Sequence, residues 1–191
     1  MKVFINPGHA MHGNPDPGAL NGELGYRESD VVSRIGEKVK LYLEKAGCEV
    51  RLLQSHNLLG ECPDYGPAIV DAAESFGADV FISLHCNAFD TRARGCETLC
   101  YDDEEAGGAL AMAIHRQLIE TMRDKDGSMP DRGIKERKDL AVLRATSMPA
   151  VLCEIAFIDN IQDAALLIVY EDDIARAIAR GVTDYQVALA G

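Results

Sequence analysis

The sequence has no tryptophan, few aromatic residues and no long apolar stretch. A transmembrane helix needs about 20 consecutive apolar residues, and no run of that length occurs among the 191 residues. The first ten residues, MKVFINPGHA, lack the apolar core and small-residue cleavage site of a secretory signal. We therefore expect the protein to be made in the cytoplasm without a signal peptide, and no segment to span a membrane.

Basic residues are also scarce. The chain has 19 Lys and Arg against 31 Asp and Glu, which gives a formal net charge of −12. Nucleic acids and anionic membrane faces attract basic proteins, because binding releases their counterions. The charge balance therefore excludes nucleic acid and membrane surfaces as expected partners.

The cysteines do not form a recognisable metal or disulfide pattern. Six are scattered along the chain without a CxxC pair, and a domain of this length does not need disulfides to fold. We expect buried, reduced thiols. Cys96 and Cys100 are placed to share one face of a strand, which leaves ligand binding by this pair open as a minor alternative.

The order of apolar runs predicts one layered α/β domain covering residues 1–191. Short runs that predict strands lie at residues 3–5, 48–53, 79–84, 95–101, 140–143 and 150–153. Segments with helical spacing lie at 28–46, 67–76, 104–123 and 161–189, and polar loops at 8–25 and 124–139. No repeat or linker divides the chain.

Three candidate metal ligands or bases follow the ends of predicted strands. His9 comes shortly after the run that ends at Ile5, His85 directly follows Leu84, and Glu154 directly follows Cys153. In an open α/β sheet the carboxyl ends of neighbouring strands lie along one edge, where ligands bind. Side chains far apart in sequence are therefore expected to meet in space.

A fourth candidate, Glu28, begins the first long helix. By itself it reads as an acidic residue favoured by the helix dipole. With His9 and His85 it completes a set of two histidines and a carboxylate, which suits a catalytic zinc ion with an open position for water. Glu154 is then expected to be the general base, transferring a proton from water to the leaving nitrogen. Of the other histidines, only His12 is a candidate for contact with the substrate.

At these residues the sequence resembles the zinc-dependent N-acetylmuramoyl-L-alanine amidases of the amidase_3 family, of the autolysin and phage-endolysin type. The matching motifs, in the family's order, are INPGHA, DPGA at 16–19, ESD at 28–30, DVFISLHCNA at 79–88, and DRGIKERKDLAVLRATSMPAVLCEIAFIDN at 131–160. Single motifs are weak, but together they cover nearly the whole chain.

The resemblance implies His9, Glu28 and His85 as ligands of one Zn²⁺ per chain and Glu154 as the catalytic acid/base. It further implies a mostly parallel, mixed sheet of about six strands with helices on both faces. The substrate is then peptidoglycan, cut between N-acetylmuramic acid and L-alanine. Because the chain is acidic, attachment to an anionic wall must come from specific contacts or from a separate or missing wall-binding module.

The chain departs from the family pattern in two loops. The first loop, GHAMHGNPDPGA, replaces a shorter glycine-rich segment, and residues 54–66 lack an arginine that many relatives carry. Both changes are expected to alter substrate contacts without touching the four key residues. We find no autoinhibitory insertion between Asp79 and Glu154, so the site is expected to be open.

Two other classes of function remain open. One is a zinc exopeptidase or deacylase of similar architecture, which would release different products. The other is a wall-binding module that has lost catalysis, although such a relative is expected to lose a ligand or the base. A phage or prophage endolysin is favoured over a host autolysin.

Overall fold

The computed structural model describes residues 1–190, which fold around a six-stranded sheet. The strands are β1 (Lys2–Pro7), β2 (Leu20–Asn21), β3 (Tyr26–Arg27), β4 (Glu49–Leu52), β5 (Val80–Asn87), β6 (Cys96–Cys100), β7 (Asp131–Glu136) and β8 (Ala150–Phe157). The helices are α1 (Glu28–Lys45), α2 (Ile69–Phe76), α3 (Ala106–Lys125), α4 (Ala141–Ala145), α5 (Ile161–Val169) and α6 (Glu171–Ala190). Strands β2 and β3 form a separate two-stranded ribbon.

The large sheet is mixed and mostly parallel. Its strand order is β4-β1-β5-β8-β6-β7. The first four of these strands run parallel, β6 runs antiparallel to β8, and β7 runs parallel to β6. The carboxyl ends of β1, β5 and β8 therefore lie at the same edge as the beginnings of β6 and β7, and this edge carries the site described below.

Helices cover both faces of the sheet, as expected. Helices α1, α3 and α6 pack on one face in the larger apolar cluster. Helices α2 and α4 cover the other face in a smaller cluster around Phe4, Phe81 and Leu152. Residues 80–84 of β5 are buried on both sides, which explains why this run shows no polar alternation. None of the helices within residues 1–190 is both long and apolar enough to cross a lipid bilayer.

Two of the predicted elements are wrong. The polar stretch 124–139 is not a loop throughout, because it contains β7. The run 140–143 is not a strand but leads into α4, since a short apolar run has no periodicity that separates strand from buried helix. The segment 161–189 is helical, as expected, and forms two helices that meet at Tyr170. There the acidic residues 171–173 begin a new helix, at the end that favours negative charge.

Helices α3 and α6 approach closely at Gly181. A Cβ atom at this position would lie 2.4 Å from Cα of Ile114. In an exposed helix Gly→Ala is stabilising, but here the added methyl group has no room. We expect Gly181→Ala to lower the free energy of unfolding by about 1–3 kcal/mol, the usual cost of overpacking, as measured by urea unfolding.

A second helix glycine provides the control. At Gly107, near the start of α3, a Cβ atom would meet nothing nearer than 3.4 Å. Gly107→Ala should therefore leave the free energy of unfolding within about 0.5 kcal/mol of wild type. Equal effects of the two substitutions would show that the close helix contact is not what makes Gly181 necessary.

Candidate active site

The candidate site lies at the sheet edge formed by the ends of β1, β5 and β8. His85 on β5 and Glu154 on β8 are register partners across neighbouring strands. His9 lies two residues beyond the end of β1, with a left-handed backbone (φ 66°). Glu28 is the first residue of α1. The structure thus brings together the four residues predicted from the sequence.

The side chains of His9, Glu28 and His85 converge on one point. Nε2 of His9 and Nδ1 of His85 lie 2.9 Å and 3.0 Å from the same oxygen, Oε1 of Glu28. The two imidazole rings meet edge to face at 73°, with centroids 4.8 Å apart. One ligand atom from each residue lies within 4.8 Å of the others, an arrangement that can hold a metal ion.

Backbone hydrogen bonds hold the Glu28 carboxylate in place. The amide of Ala19 donates to Oε2 at 2.8 Å, and the amide of Cys86 donates to Oε1 at 2.8 Å. Glu28 itself is only 3% exposed. Burial alone raises the pKa of this carboxyl, but hydrogen bonds with His85 and His9 outweigh burial and hold the pKa well below its usual range. Glu28 is therefore a fixed negative charge.

Asp16 orients the ring of His9. Its Oδ2 lies 2.9 Å from Nδ1 of His9, so the other ring nitrogen, Nε2, faces Glu28. Burial lowers the pKa of His9, but contacts with Glu28 and Asp16 outweigh it and raise the pKa to about 9. A carboxylate on the outer nitrogen of a metal-binding histidine sets its tautomer and raises its basicity.

The donor set fits a divalent cation such as zinc. Nε2 of His9 is buried and forms no well-oriented hydrogen bond within the described residues, although it lies close to Oε1 of Glu28. Such a buried nitrogen is costly unless it has a partner. Two imidazole nitrogens and one carboxylate oxygen, all directed to one point, supply the ligand types that zinc prefers.

Two glycines leave room for these side chains. A Cβ atom at Gly8 would lie 2.2 Å from Cε1 of His85. At Gly18, whose φ is +68°, a Cβ atom would lie 2.6 Å from both Oε2 of Glu28 and Cδ2 of His9. The PGH and DPGA motifs therefore contain glycine because the backbone passes directly against the site.

Glu154 lies beside this cluster without joining it. Its Oε2 is buried and has no hydrogen-bond partner in the part of the chain that the structure describes. Burial raises the pKa of Glu154 to about 7, with a further increase from the nearby Glu28 and Glu97 carboxylates and an opposing effect of His85. A carboxyl group with these properties suits proton transfer near neutral pH.

A cleft of about 290 Å³ opens from this cluster toward β4. Its lining includes His9, His56, Cys62, Asn6 and Ser83, and Ser83 Oγ donates to Asn6 Oδ1 at 3.1 Å. The remaining lining residues are Gly8, Asp16, Ser55, Leu58, Glu61, His85, Leu140, Ala141, Val142 and Leu152. The long helix α3 packs against α6 on the opposite face, so it leaves this cleft open.

Two loop histidines, His12 and His56, differ in their position relative to the cleft. His12 is exposed and does not line the cleft. His56 does line it, 3.5 Å from Oδ2 of Asp16 and edge-on to the ring of Tyr65 at 5.6 Å. A signal was present, because His56 follows the end of β4 at a short distance, as His9 follows β1.

The side chains of the remaining histidine and of the six cysteines do not belong to the candidate metal-ligand group of His9, Glu28 and His85. His115 is buried, with Nδ1 3.1 Å from Oγ1 of Thr98 and Nε2 2.9 Å from Oδ1 of Asp131. All six cysteines are free thiols, and five are buried. Cys62, half-buried in the cleft wall, is the exception to the prediction of buried thiols. Cys96 and Cys100 are fully buried, and burial raises the pKa of both thiols.

Comparison with known proteins agrees with this geometry. The family profile described as Amidase_3, N-acetylmuramoyl-L-alanine amidase, matches residues 3–184. Among curated relatives, the chain is 36% identical to the endolysin of Bacillus phage SPP1, over 92% of this chain and 63% of the relative. It is 33% identical to the N-acetylmuramoyl-L-alanine amidase LytC of Bacillus subtilis, over 96% of this chain and 35% of the relative. The chain thus spans less than two thirds of either relative.

Solved structures show the same fold. The N-acetylmuramoyl-L-alanine amidase AmiC2 of Nostoc punctiforme superposes with a TM-score of 0.82 at 30% identity, covering 98% of this chain and 97% of that one. The catalytic domain of CwlV from Bacillus (Paenibacillus) polymyxa gives 0.81 at 27% identity, covering 97% and 98% of the two chains. The chain therefore belongs to the N-acetylmuramoyl-L-alanine amidase family.

Proposed function

We propose that this protein is a zinc-dependent hydrolase that cuts the amide bond between N-acetylmuramic acid and L-alanine in peptidoglycan, with residues 1–191 as its catalytic domain. The observation that carries the proposal is the convergence of His9, Glu28 and His85 beside Glu154 at the mouth of an open cleft. Membership of the amidase family supports the choice of substrate. Action on the bacterial cell wall, as an endolysin or autolysin, follows from that substrate.

The proposed metal ligands are Nε2 of His9, a carboxylate oxygen of Glu28 and Nδ1 of His85, for one Zn²⁺ per chain. When bound, zinc polarises a carbonyl oxygen and lowers the pKa of a coordinated water to about 7. Asp16 holds the His9 ring with Nε2 directed inward. The amides of Ala19 and Cys86 keep Glu28 from rotating away, so the ligand set is arranged before any metal arrives.

Glu154 is the proposed general base and general acid. Its carboxylate takes a proton from the attacking water as the new C–O bond forms at the scissile carbonyl. It then gives that proton to the amide nitrogen as the C–N bond breaks, so that L-alanine leaves with a neutral amine. The register of β8 against β5 holds Glu154 next to His85, and its unpartnered oxygen is available for this transfer.

Metal removal is the direct test of this proposal. We expect one zinc per chain by metal analysis, and release of L-alanine amino termini from purified peptidoglycan without new reducing ends. Treatment with a strong chelator should abolish release, and added Zn²⁺ should restore it, because no side chain of the site replaces the metal.

Other outcomes identify the alternatives. New amino groups from free peptides, with intact muramoyl amides, would indicate an exopeptidase or deacylase. Zinc binding and wall binding without any product would indicate a module that has lost catalysis. A protein that binds no zinc and still cleaves the amide would refute the proposed metal centre.

A further inference from the structure

A third acidic side chain continues the row formed by His85 and Glu154. Across the antiparallel pair of β8 and β6, Glu97 is the register partner of Glu154, as His85 is on the other side. Directly opposite residues in a sheet point to the same face. Glu97 therefore borders the proposed reaction centre, although the proposed mechanism does not use it.

Glu97 is buried and surrounded by donors. It is 7% exposed, and Asn87 Nδ2 donates to its Oε1 at 2.6 Å. Two cations share its other oxygen, Oε2: Nε of Arg132 at 3.0 Å and Nζ of Lys135. One buried carboxylate thus holds two cations from β7 at the edge of the site.

A β-bulge brings both cations to the same face. Cys96 pairs with Asp131 but Glu97 pairs with Gly133, so Arg132 is the extra residue on β7. In a regular strand Arg132 and Lys135 would point to opposite faces. The bulge, with Gly133 at φ +76°, redirects Arg132 toward Glu97. Bulges of this kind are frequent next to active sites, where they re-aim a side chain.

Arg132 and Lys135 carry two positive charges, whereas the Glu97 carboxylate that they share carries one negative charge. The terminal guanidinium nitrogens of Arg132 make no hydrogen bond within residues 1–190, and Lys135 has no second acidic partner there. Their side chains are 36% and 44% exposed. Further along the chain, Arg137 pairs with Asp139, and Lys138 with Asp102 and Glu136. Arg132 and Lys135 thus place two cations at this border of the site, in a chain whose net charge is −12.

The substrate has anionic groups on only one side of the scissile bond. The N-acetyl sugars of the glycan strand are uncharged, whereas the peptide carries free carboxylates beginning at the residue after L-alanine. A guanidinium with free Nη groups is suited to a carboxylate, which it can bind through two parallel hydrogen bonds. The peptide is therefore the part of the substrate whose charge complements this face.

We propose that Arg132 and Lys135, held in place by Glu97, form a subsite that binds a free carboxylate of the stem peptide and so selects for non-amidated peptides. This inference rests on the proposed amidase function. Glu97 is the positioning residue of the subsite, and Arg132 and Lys135 are its binding residues. Neither cation is needed for proton transfer.

The first experiment uses the wild-type protein and two matched substrates. Both are N-acetylmuramoyl-L-alanyl peptides, one with D-glutamate carrying a free α-carboxylate and one with that carboxylate amidated. We expect the free-acid substrate to be cleaved with a KM lower by about 10- to 100-fold, the effect of one or two hydrogen bonds to a charged group, and with a similar kcat.

Single variants then locate the preference. Arg132→Gln and Lys135→Gln should each raise KM for the free-acid substrate by about tenfold or more and leave KM for the amidated substrate unchanged. Each variant keeps one cation on Glu97, so the buried carboxylate stays paired and the fold is maintained. Lys138→Gln, whose partners Asp102 and Glu136 lie at the far edge of the sheet, is the matched control and should change neither KM.

The outcomes separate this inference from the proposed function. If the wild type cleaves neither substrate, the amidase proposal itself fails. If it cleaves both equally well, the carboxylate subsite is refuted while the amidase function remains. If Arg132→Gln and Lys135→Gln change kcat for both substrates to the same extent, the two cations act on the reaction centre and not on the peptide. Thermal unfolding and zinc content of each variant show that the fold is intact.

Discussion

Replacing Glu154 with Gln is expected to lower kcat by about 100- to 10,000-fold, the usual contribution of a positioned general acid/base. Gln has nearly the same shape but cannot accept and return a proton. Because burial raises the pKa of Glu154 to about 7, the site already accommodates the neutral carboxyl group, so an uncharged amide should not unfold it. Zinc content should stay at one per chain, because Glu154 is not a proposed ligand.

The measurement is initial-rate release of L-alanine amino termini, with zinc analysis of the same samples. Glu136→Gln is a suitable control, because this glutamate on β7 is exposed and pairs at the far edge of the sheet. Glu136→Gln should retain wild-type kcat. A Glu154→Gln protein that turned over at the wild-type rate would show that another group transfers the proton.

Replacing His85 with Ala is expected to remove both metal and activity. His85 supplies one of only three proposed ligands, and its Nδ1 lies 3.0 Å from Oε1 of Glu28. Loss of an outer-shell partner typically weakens metal binding by about 10- to 100-fold, and we expect a larger loss for a direct ligand. Without the metal, hydrolysis of the amide should fall below detection.

The test is competitive titration with a coloured zinc chelator, followed by the amino-group assay with excess Zn²⁺. His12→Asn is the control, because His12 is exposed and outside the cluster, and Asn tolerates its positive φ of 59°. That variant should bind zinc like the wild type. Unchanged zinc affinity in His85→Ala would mean that the metal, if present, lies elsewhere.

The two variants together distinguish the roles of the two neighbouring strands. His85 and Glu154 are register partners on β5 and β8, yet we expect one to govern metal content and the other only turnover. A common structural role would instead make both variants lose zinc and stability in parallel. Thermal unfolding with and without Zn²⁺ therefore accompanies both assays, because a bound metal stabilises the folded state.

The sequence alone was sufficient to predict the α/β class and to select His9, Glu28, His85 and Glu154. Three of these follow local apolar runs that become parallel strands, and the ends of such strands meet at one edge. Glu28 begins a helix and by itself reads only as an acidic residue favoured by the helix dipole. Its selection depended on the two histidines and on the family resemblance. Information of this kind is contained in short segments, so it can be read before the fold is known.

The tertiary structure alone showed the surroundings of these residues. Strand β7 is polar and lies at the edge of the sheet, so it has no apolar pattern that predicts a strand. The contact between Glu97 and Arg132 depends on a bulge, where β7 has one more residue than β6 between two paired positions. Such a bulge exists only once the two strands are paired. His56 lines the cleft on a loop that hydrogen bonds of Ser55 and Asn57 hold in place. Local sequence determines which side chains follow a strand, whereas long-range pairing decides which of them become neighbours.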